Sequence, residues 1–310
     1  MTRHLLKVSD FTKDEIATII EKAIDIKKNP ENYNTTMKSK TLLMLFEKPS
    51  LRTRVSFETG MTRLGGHAIF YSIKDSPLGK KENIKDTAKC ASRYVDIIMA
   101  RVNKKEDLKE FSEESNVPVI NALDDFAHPC QIICDLQAIV EKKGSLEGIK
   151  MAYSGDCHNN VTYDLMRAAA VMGFEIAVAC PEGAEYSPEQ EVLDECKELC
   201  KTSGGKVIVT HDAAEAAKDA DVVYTDSWMS YHIPEDQMEA RKAKFMPYQI
   251  NADFMSKAKP DAIFMNCLPA ARGLEQTADV IDGPQSIVYD QAENRMHAQN
   301  AIMLFLMGKL

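Results

Sequence analysis

Short apolar runs that alternate with stretches of helical spacing limit this chain's fold more than any other feature. TLLMLF (41–46) precedes SFETGMTRLG, HAIFY precedes ENIKDTAKCASRY, VDIIMA precedes KEDLKEFSEES, and VPVIN follows. An uninterrupted apolar run suits a strand covered on both faces, and parallel neighbours need a crossover, usually a helix. The pattern therefore predicts βαβ units. After KKGSLEG it starts again, with IKMAYS (149–154), EIAVAC (175–180), KVIVT, DVVYT (221–225), AIFMN (262–266) and SIVYD (286–290) read as strands. The expected fold class is α/β, with two doubly wound parallel-sheet domains over residues 1–135 and 149–290, joined through 136–148. Thr12 and Glu15 have capping-box spacing ahead of an apolar face of Ile16, Ile19, Ile20 and Ala23, so a first helix is expected there, ending before Pro30. AENRMHAQNAIMLFLMGKL reads as a final helix over 291–310 whose apolar face needs a partner.

Charge narrows the functional classes. With 38 Lys+Arg against 47 Asp+Glu, the net charge of −9 opposes a broad nucleic-acid footprint but leaves room for a local pocket for a small anion. Acidic residues come too early at the N-terminus for a secretory leader, and no run approaches the ~18 apolar residues of a membrane span. The 8 cysteines follow no regular spacing, so reduced thiols and a cytoplasmic location are expected.

Candidate chemistry falls where strands end and helices begin, the usual ligand side of such sheets. In EKPSLRTRVSFE (47–58) a helix start near Ser50 would present backbone N–H groups, the hydroxyls of Ser50 and Thr53, and the planar fork of Arg52. Arg101 follows the strand VDIIM. In HPCQ (128–131) an imidazole and an amide lie together, able to donate to a carbonyl oxygen and accept from an amide nitrogen; a helix-capping His128 is the plainer reading. Cys130 and Cys134 beside His128 lack zinc-type spacing, and no metal or cofactor is expected. A nucleophilic Cys267 would lack an oxyanion-hole signature. GDCHNNVTYDLM (155–166) has no G-x-G-x-x-G, which disfavours a dinucleotide. Asn159 and Asn160 are adjacent in that strand-to-helix turn, and Asp226 and Ser230 in TDSWMSY, like Cys267 in MNCLPA, sit after strands; an acid, a hydroxyl and two amides suit the ammonium and carboxylate of an amino acid in a cleft between domains.

Taken in order, SLRTR, ARV, HPCQ, GD..NN, DSW.S, CLP and DQAENRMH resemble the aspartate/ornithine carbamoyltransferases over essentially the whole chain. The resemblance implies two α/β domains, with the last helix packing back on the first, assembled as a homotrimer with active sites at subunit interfaces. It implies a carbamoyl phosphate site of Ser50, Leu51, Arg52, Thr53, Arg101, His128, Gln131, Cys267, Leu268 and Arg295. It implies an acceptor site of Asn160, Asp226, Ser230 and Tyr231, with Arg101, His128, Asp226 and Cys267 at the chemistry. The acceptor-side motifs favour L-ornithine over aspartate, giving L-citrulline and phosphate, or the reverse in arginine catabolism. The chain departs from the family pattern in four places. Leu51 stands for Thr, Tyr231-His232 for Met-Gly and Asn266 for His, while Pro77 replaces a polar residue in a loop, SPLGKKE, that the family lends to a neighbouring subunit. Another acceptor (putrescine, aspartate or an N-acylornithine) and a non-catalytic paralogue of the same fold remain alternatives.

Overall fold

Apolar strands and amphipathic crossovers build two parallel sheets in the computed structural model, which describes residues 2–73, 82–229, 236 and 238–310. The chain divides into one unit of Met1–Gln137 with Glu293–Leu310 and a second of Ala138–Ala292. In the first unit the order is α1 (Lys13–Lys28), β1 (Thr41–Phe46), α2 (Leu51–Arg63), β2 (His67–Ser72), α3 (Ile84–Ala91), β3 (Ile97–Arg101), α4 (Lys105–Glu114), β4 (Val119–Leu123) and the start of α5 (Pro129–Lys143). In the second it is β5 (Lys150–Ser154), α6 (Asn160–Met172), β6 (Glu175–Ala179), α7 (Gln190–Ser203), β7 (Lys206–Thr210), α8 (Ala213–Ala217), β8 (Val222–Tyr224), α9 (Met238–Phe245), α10 (Ala252–Lys257), β9 (Ile263–Met265) and α11 (Ala278–Ile281). The chain returns to the first unit within α12 (Val288–Leu306).

Among the described residues the first sheet runs β2-β1-β3-β4 and the second β7-β6-β5-β8-β9, with every strand pair parallel. The expected architecture is therefore present. One expected strand is not. SIVYD contributes a single bridge, Phe264 to Ser286. After Ile287 N–H bonds to Phe264, the Ile287 carbonyl accepts from Gln291 at 2.8 Å, and the remaining residues begin α12. A three-residue β9 offers too few partners to hold a longer strand against that helical alternative.

The first helix starts as its spacing predicts: Thr12 accepts the Glu15 N–H while Glu15 accepts the Thr12 N–H. Ile16, Ile19, Ile20 and Ala23 are buried, each isoleucine contributing about 1.5–3 kcal/mol of transfer free energy. The partner that the final helix needs lies in the first unit. Phe305 meets Phe11 edge-on at 5.0 Å, and a Cβ at Gly60 of α2 would lie 2.2 Å from Asn300 Oδ1. A side chain at position 60 would have to displace the Asn300 amide. β2, by contrast, is an edge strand with Ile69, Phe70 and Tyr71 exposed.

Candidate active site

In the first unit, strand register brings the anion-binding candidates together. Phe46 of β1 pairs with Arg101 of β3, and Arg101 pairs with Leu123 of β4 across a local irregularity, so three carboxyl ends lie side by side. The chain around Arg101 is pinned: its carbonyl accepts the Glu47 N–H at 2.9 Å, and Glu47 Oε2 accepts the Asn103 N–H at 2.7 Å. Beyond β1, Ser50 caps α2 by accepting the Thr53 N–H at 3.3 Å. Beyond β4, Asp124 folds the turn that presents His128, accepting the Phe126 and Ala127 N–H groups at 2.7 Å each. Thr53, Arg101, His128, Gln131 and Arg295 are each 5% exposed or less, while Arg52 is half-buried and Leu51 exposed on α2's first turn. A helix N-terminus with converging guanidinium groups suits a phosphate or carboxylate.

Sequence spacing placed Gln131 against the ligand, and the structure commits its amide to the protein. Nε2 donates to Asp135 at 2.8 Å, and Oε1 accepts from Arg295 at 2.6 Å. The Arg295 guanidinium also reaches Thr53 Oγ1 at 3.3 Å. Gln131 therefore orients Arg295 across the pocket. The neighbouring thiols are occupied too: Cys130 donates to the Asn121 carbonyl at 3.4 Å, and Cys134 lies 3.5 Å from Asp135. Lys48, which motif reading passed over, is half-buried, and burial together with Arg101 lowers its pKa.

Burial depresses the His128 pKa well below its ordinary 6.5, and Arg295, Arg101 and Arg52 add to the depression. The imidazole is thus neutral at neutral pH and can donate one N–H. The sign for stability follows. Below pH 6.5 the unfolded chain takes up a proton that the folded chain refuses, so this residue costs stability as pH falls from 6.5 towards the depressed folded value. Urea unfolding below pH 6.5 is expected to lose up to about 1.4 kcal/mol more per pH unit in the wild type than in His128→Gln. Parallel pH profiles for the two proteins would remove this assignment.

In the second unit the register places Tyr153 beside Tyr224, and Tyr224 beside Met265. The three following segments carry Asp156 to Asn160, Asp226 to Trp228, and Asn266 to Ala271. The Cys267 thiol donates to Asp226 Oδ1 at 3.1 Å, joining two residues that lie 41 positions apart in the chain. The adjacent asparagines divide their work. Asn159 is buried and caps α6, accepting the Thr162 N–H at 2.9 Å and donating to the Asp156 carbonyl at 2.6 Å, whereas Asn160 opens the helix half-exposed. Asn266 is buried as a local brace: Oδ1 accepts the Leu268 N–H at 2.8 Å, and Nδ2 donates to Gln276 at 3.0 Å. Ser230 and Tyr231, with His232, Pro77, Lys80 and Lys81, lie outside the described residues. Asp156 of the GD..NN motif lies in the first of these segments, and Arg241 of α9 and Glu275, which belong to no motif, bond to the second through the Trp228 peptide. Burial pushes the Asp156 carboxyl up to about 6 despite the nearby Arg241.

Two family models match the chain. The carbamoyl-P binding domain of aspartate/ornithine carbamoyltransferase covers residues 3–141, and the Asp/Orn binding domain covers 147–306. A curated relative, the anabolic ornithine carbamoyltransferase of Pyrococcus furiosus, is 47% identical over 308 residues, 99% of this chain and 96% of its own. The solved ornithine carbamoyltransferase structure from Pyrococcus furiosus superposes with a TM-score of 0.94 at 47% identity, covering 100% of this chain and 98% of that one. That of ornithine transcarbamoylase from Giardia lamblia gives 0.92 at 46%, covering 100% and 99%. With both halves matched and near-complete coverage at such identity, the chain belongs to the aspartate/ornithine carbamoyltransferase family.

Proposed function

We propose that this protein transfers the carbamoyl group of carbamoyl phosphate to the δ-amine of L-ornithine, giving L-citrulline and phosphate. The observation that carries the reading is the gathering of the Ser50-capped α2 N-terminus, Arg101 at the paired end of β3, and Arg295, which reaches Thr53 Oγ1 at 3.3 Å. Such a pocket matches a dianion whose carbonyl must be polarised. The Ser50–Thr53 turn and Arg52 hold the phosphate. Thr53, Arg101 and His128 hold the carbamoyl oxygen, with Gln131 steering Arg295. Leu51 costs little in place of Thr, because a side chain exposed on the first turn still leaves its backbone N–H to the ligand.

On the acceptor side, Asp226 with Cys267 receives the amino groups and Asn160 the α-carboxylate. The uncharged δ-amine attacks the carbamoyl carbon, and its C=O electron pair moves onto oxygen. The tetrahedral species collapses by breaking the bond to the phosphate oxygen, and the amine's proton leaves with phosphate. Alignment and preorganised donors supply the rate enhancement. Asn266 accepts the Leu268 N–H, so replacement of the family's histidine at this position tunes the segment's position.

The working assembly is a homotrimer in the cytoplasm. The exposed apolar side chains of β2, with Leu51 and Val55 of α2, support a covered surface there. All 8 cysteines are free thiols, which suits a reducing compartment. Among the described residues no helix is long and apolar enough to cross a membrane.

The test is phosphate release from carbamoyl phosphate with ornithine, putrescine, aspartate and acetylornithine offered separately. Turnover with ornithine alone is expected. Turnover with another acceptor in its place would move the specificity, and silence with all four would overturn the enzymatic reading.

A further inference from the structure

The peptide of Trp228, the chain's single tryptophan, is gripped from both sides. Its N–H donates to Glu275 Oε1 at 3.3 Å, and its carbonyl accepts from Arg241 Nε at 2.8 Å. Each gripping side chain is anchored in a further loop. Arg241 pairs with the buried Asp156, whose Oδ1 accepts the His158 N–H at 3.0 Å. Glu275 Oε2 accepts the Ala271 N–H at 3.0 Å. A continuous set of bonds thus runs from the segment after β5, through Trp228, to the segment after β9.

The indole is fixed as firmly as the peptide. It stacks on Phe245 at 5.7 Å and covers Gly155, where a Cβ would stand 3.1 Å from its Nε1 and where φ is +141°. Buried charges are a poor means of gaining net stability, because desolvation offsets their attraction. What they supply here is geometry. Asp226 lies two residues before Trp228 and accepts from Cys267, which lies four residues before Ala271.

We propose that Arg241 and Glu275 are positioning residues that set acceptor affinity by clamping the Trp228 peptide, holding Asp226 in register with the Cys267 segment. This rests on the reading of Asp226 as an acceptor-binding group.

The experiment compares Glu275→Gln, Arg241→Met and the milder Arg241→Lys in the full chain. Glu275→Gln keeps the size but replaces one accepting oxygen by a donor. Arg241→Lys keeps the charge opposite Asp156 but lacks a second nitrogen for the Trp228 carbonyl. In each, the KM for ornithine is expected to rise about tenfold, the factor for one lost buried hydrogen bond. The kcat should fall less, and the KM for carbamoyl phosphate should stay within about twofold. Trp228 emission should shift to the red and become easier to quench with acrylamide. An ornithine KM unchanged in both Arg241→Lys and Glu275→Gln would overturn the proposal, as would equal rises for both substrates. If the wild type does not turn over ornithine, the acceptor reading fails on its own. Trp228 emission then still decides the clamp: a red shift in all three variants supports it, and an unchanged spectrum rejects it.

Discussion

Arg101→Met is expected to lower carbamoyl transfer by about 10²–10³-fold, the effect of removing one preorganised donor from a developing oxyanion, without making the unliganded protein less stable. Methionine keeps most of the volume of a side chain that is almost wholly buried at the end of β3. What it removes is one of three positive charges acting on the same imidazole. Like charges gathered in a desolvated pocket repel one another, so losing one relieves strain in the empty site. The same loss weakens the site for an anion. Inorganic phosphate should therefore raise the melting temperature of the wild type and do so far less in the variant. Steady-state phosphate release and thermal unfolding with and without phosphate check both halves. Near-normal turnover, or an undiminished phosphate-dependent shift, would show that Arg101 is not part of the pocket.

The second large effect is expected from Asp226→Asn. Neutralising a carboxylate that pairs with a substrate ammonium costs about 2–5 kcal/mol, or roughly 30- to 4,000-fold in kcat/KM for ornithine. The change is isosteric, and an amide oxygen still accepts from the Cys267 thiol, which now donates to Oδ1 at 3.1 Å. The local loop should therefore survive. Carbamoyl phosphate affinity should stay within about twofold, because the residues proposed to hold it lie mainly in the other unit. Kinetics with both substrates in saturation series separate the two terms. An ornithine KM equal to that of the wild type would remove Asp226 from the acceptor site.

The parts of the fold legible in the chain are those governed by local rules. Capping of α1 by Thr12 and Glu15 depends on residues three apart, and the parallel sheets follow from apolar runs separated by helical stretches. SIVYD has the same kind of short apolar run as the true strands, Ile287 to Tyr289, yet the Ile287 carbonyl is taken by Gln291 and the helix begins. For the site, motif order located Ser50, Arg52, Thr53, Arg101 and His128 at strand ends. Spacing brought Gln131 beside His128, but only the structure shows its amide bonded to Arg295 and Asp135. Arg241 and Glu275 carried no signal, since a single arginine in EARKAKF or a glutamate in GLEQT looks like surface charge.

The amino-acid order by itself determined the alternation of elements, the helix starts and the residue types available at each strand end, because these depend on neighbours a few positions apart. Only the tertiary structure decided which polar groups meet. Arg295 reaches Gln131 across 164 residues, Arg241 reaches Asp156 across 85, and Glu275 reaches Trp228 across 47. No local period encodes such pairs. The packing of helices and connecting segments around the sheets sets them, and burial then holds each polar group to the partner it meets, since leaving it unmatched in the interior costs more than any single local preference supplies.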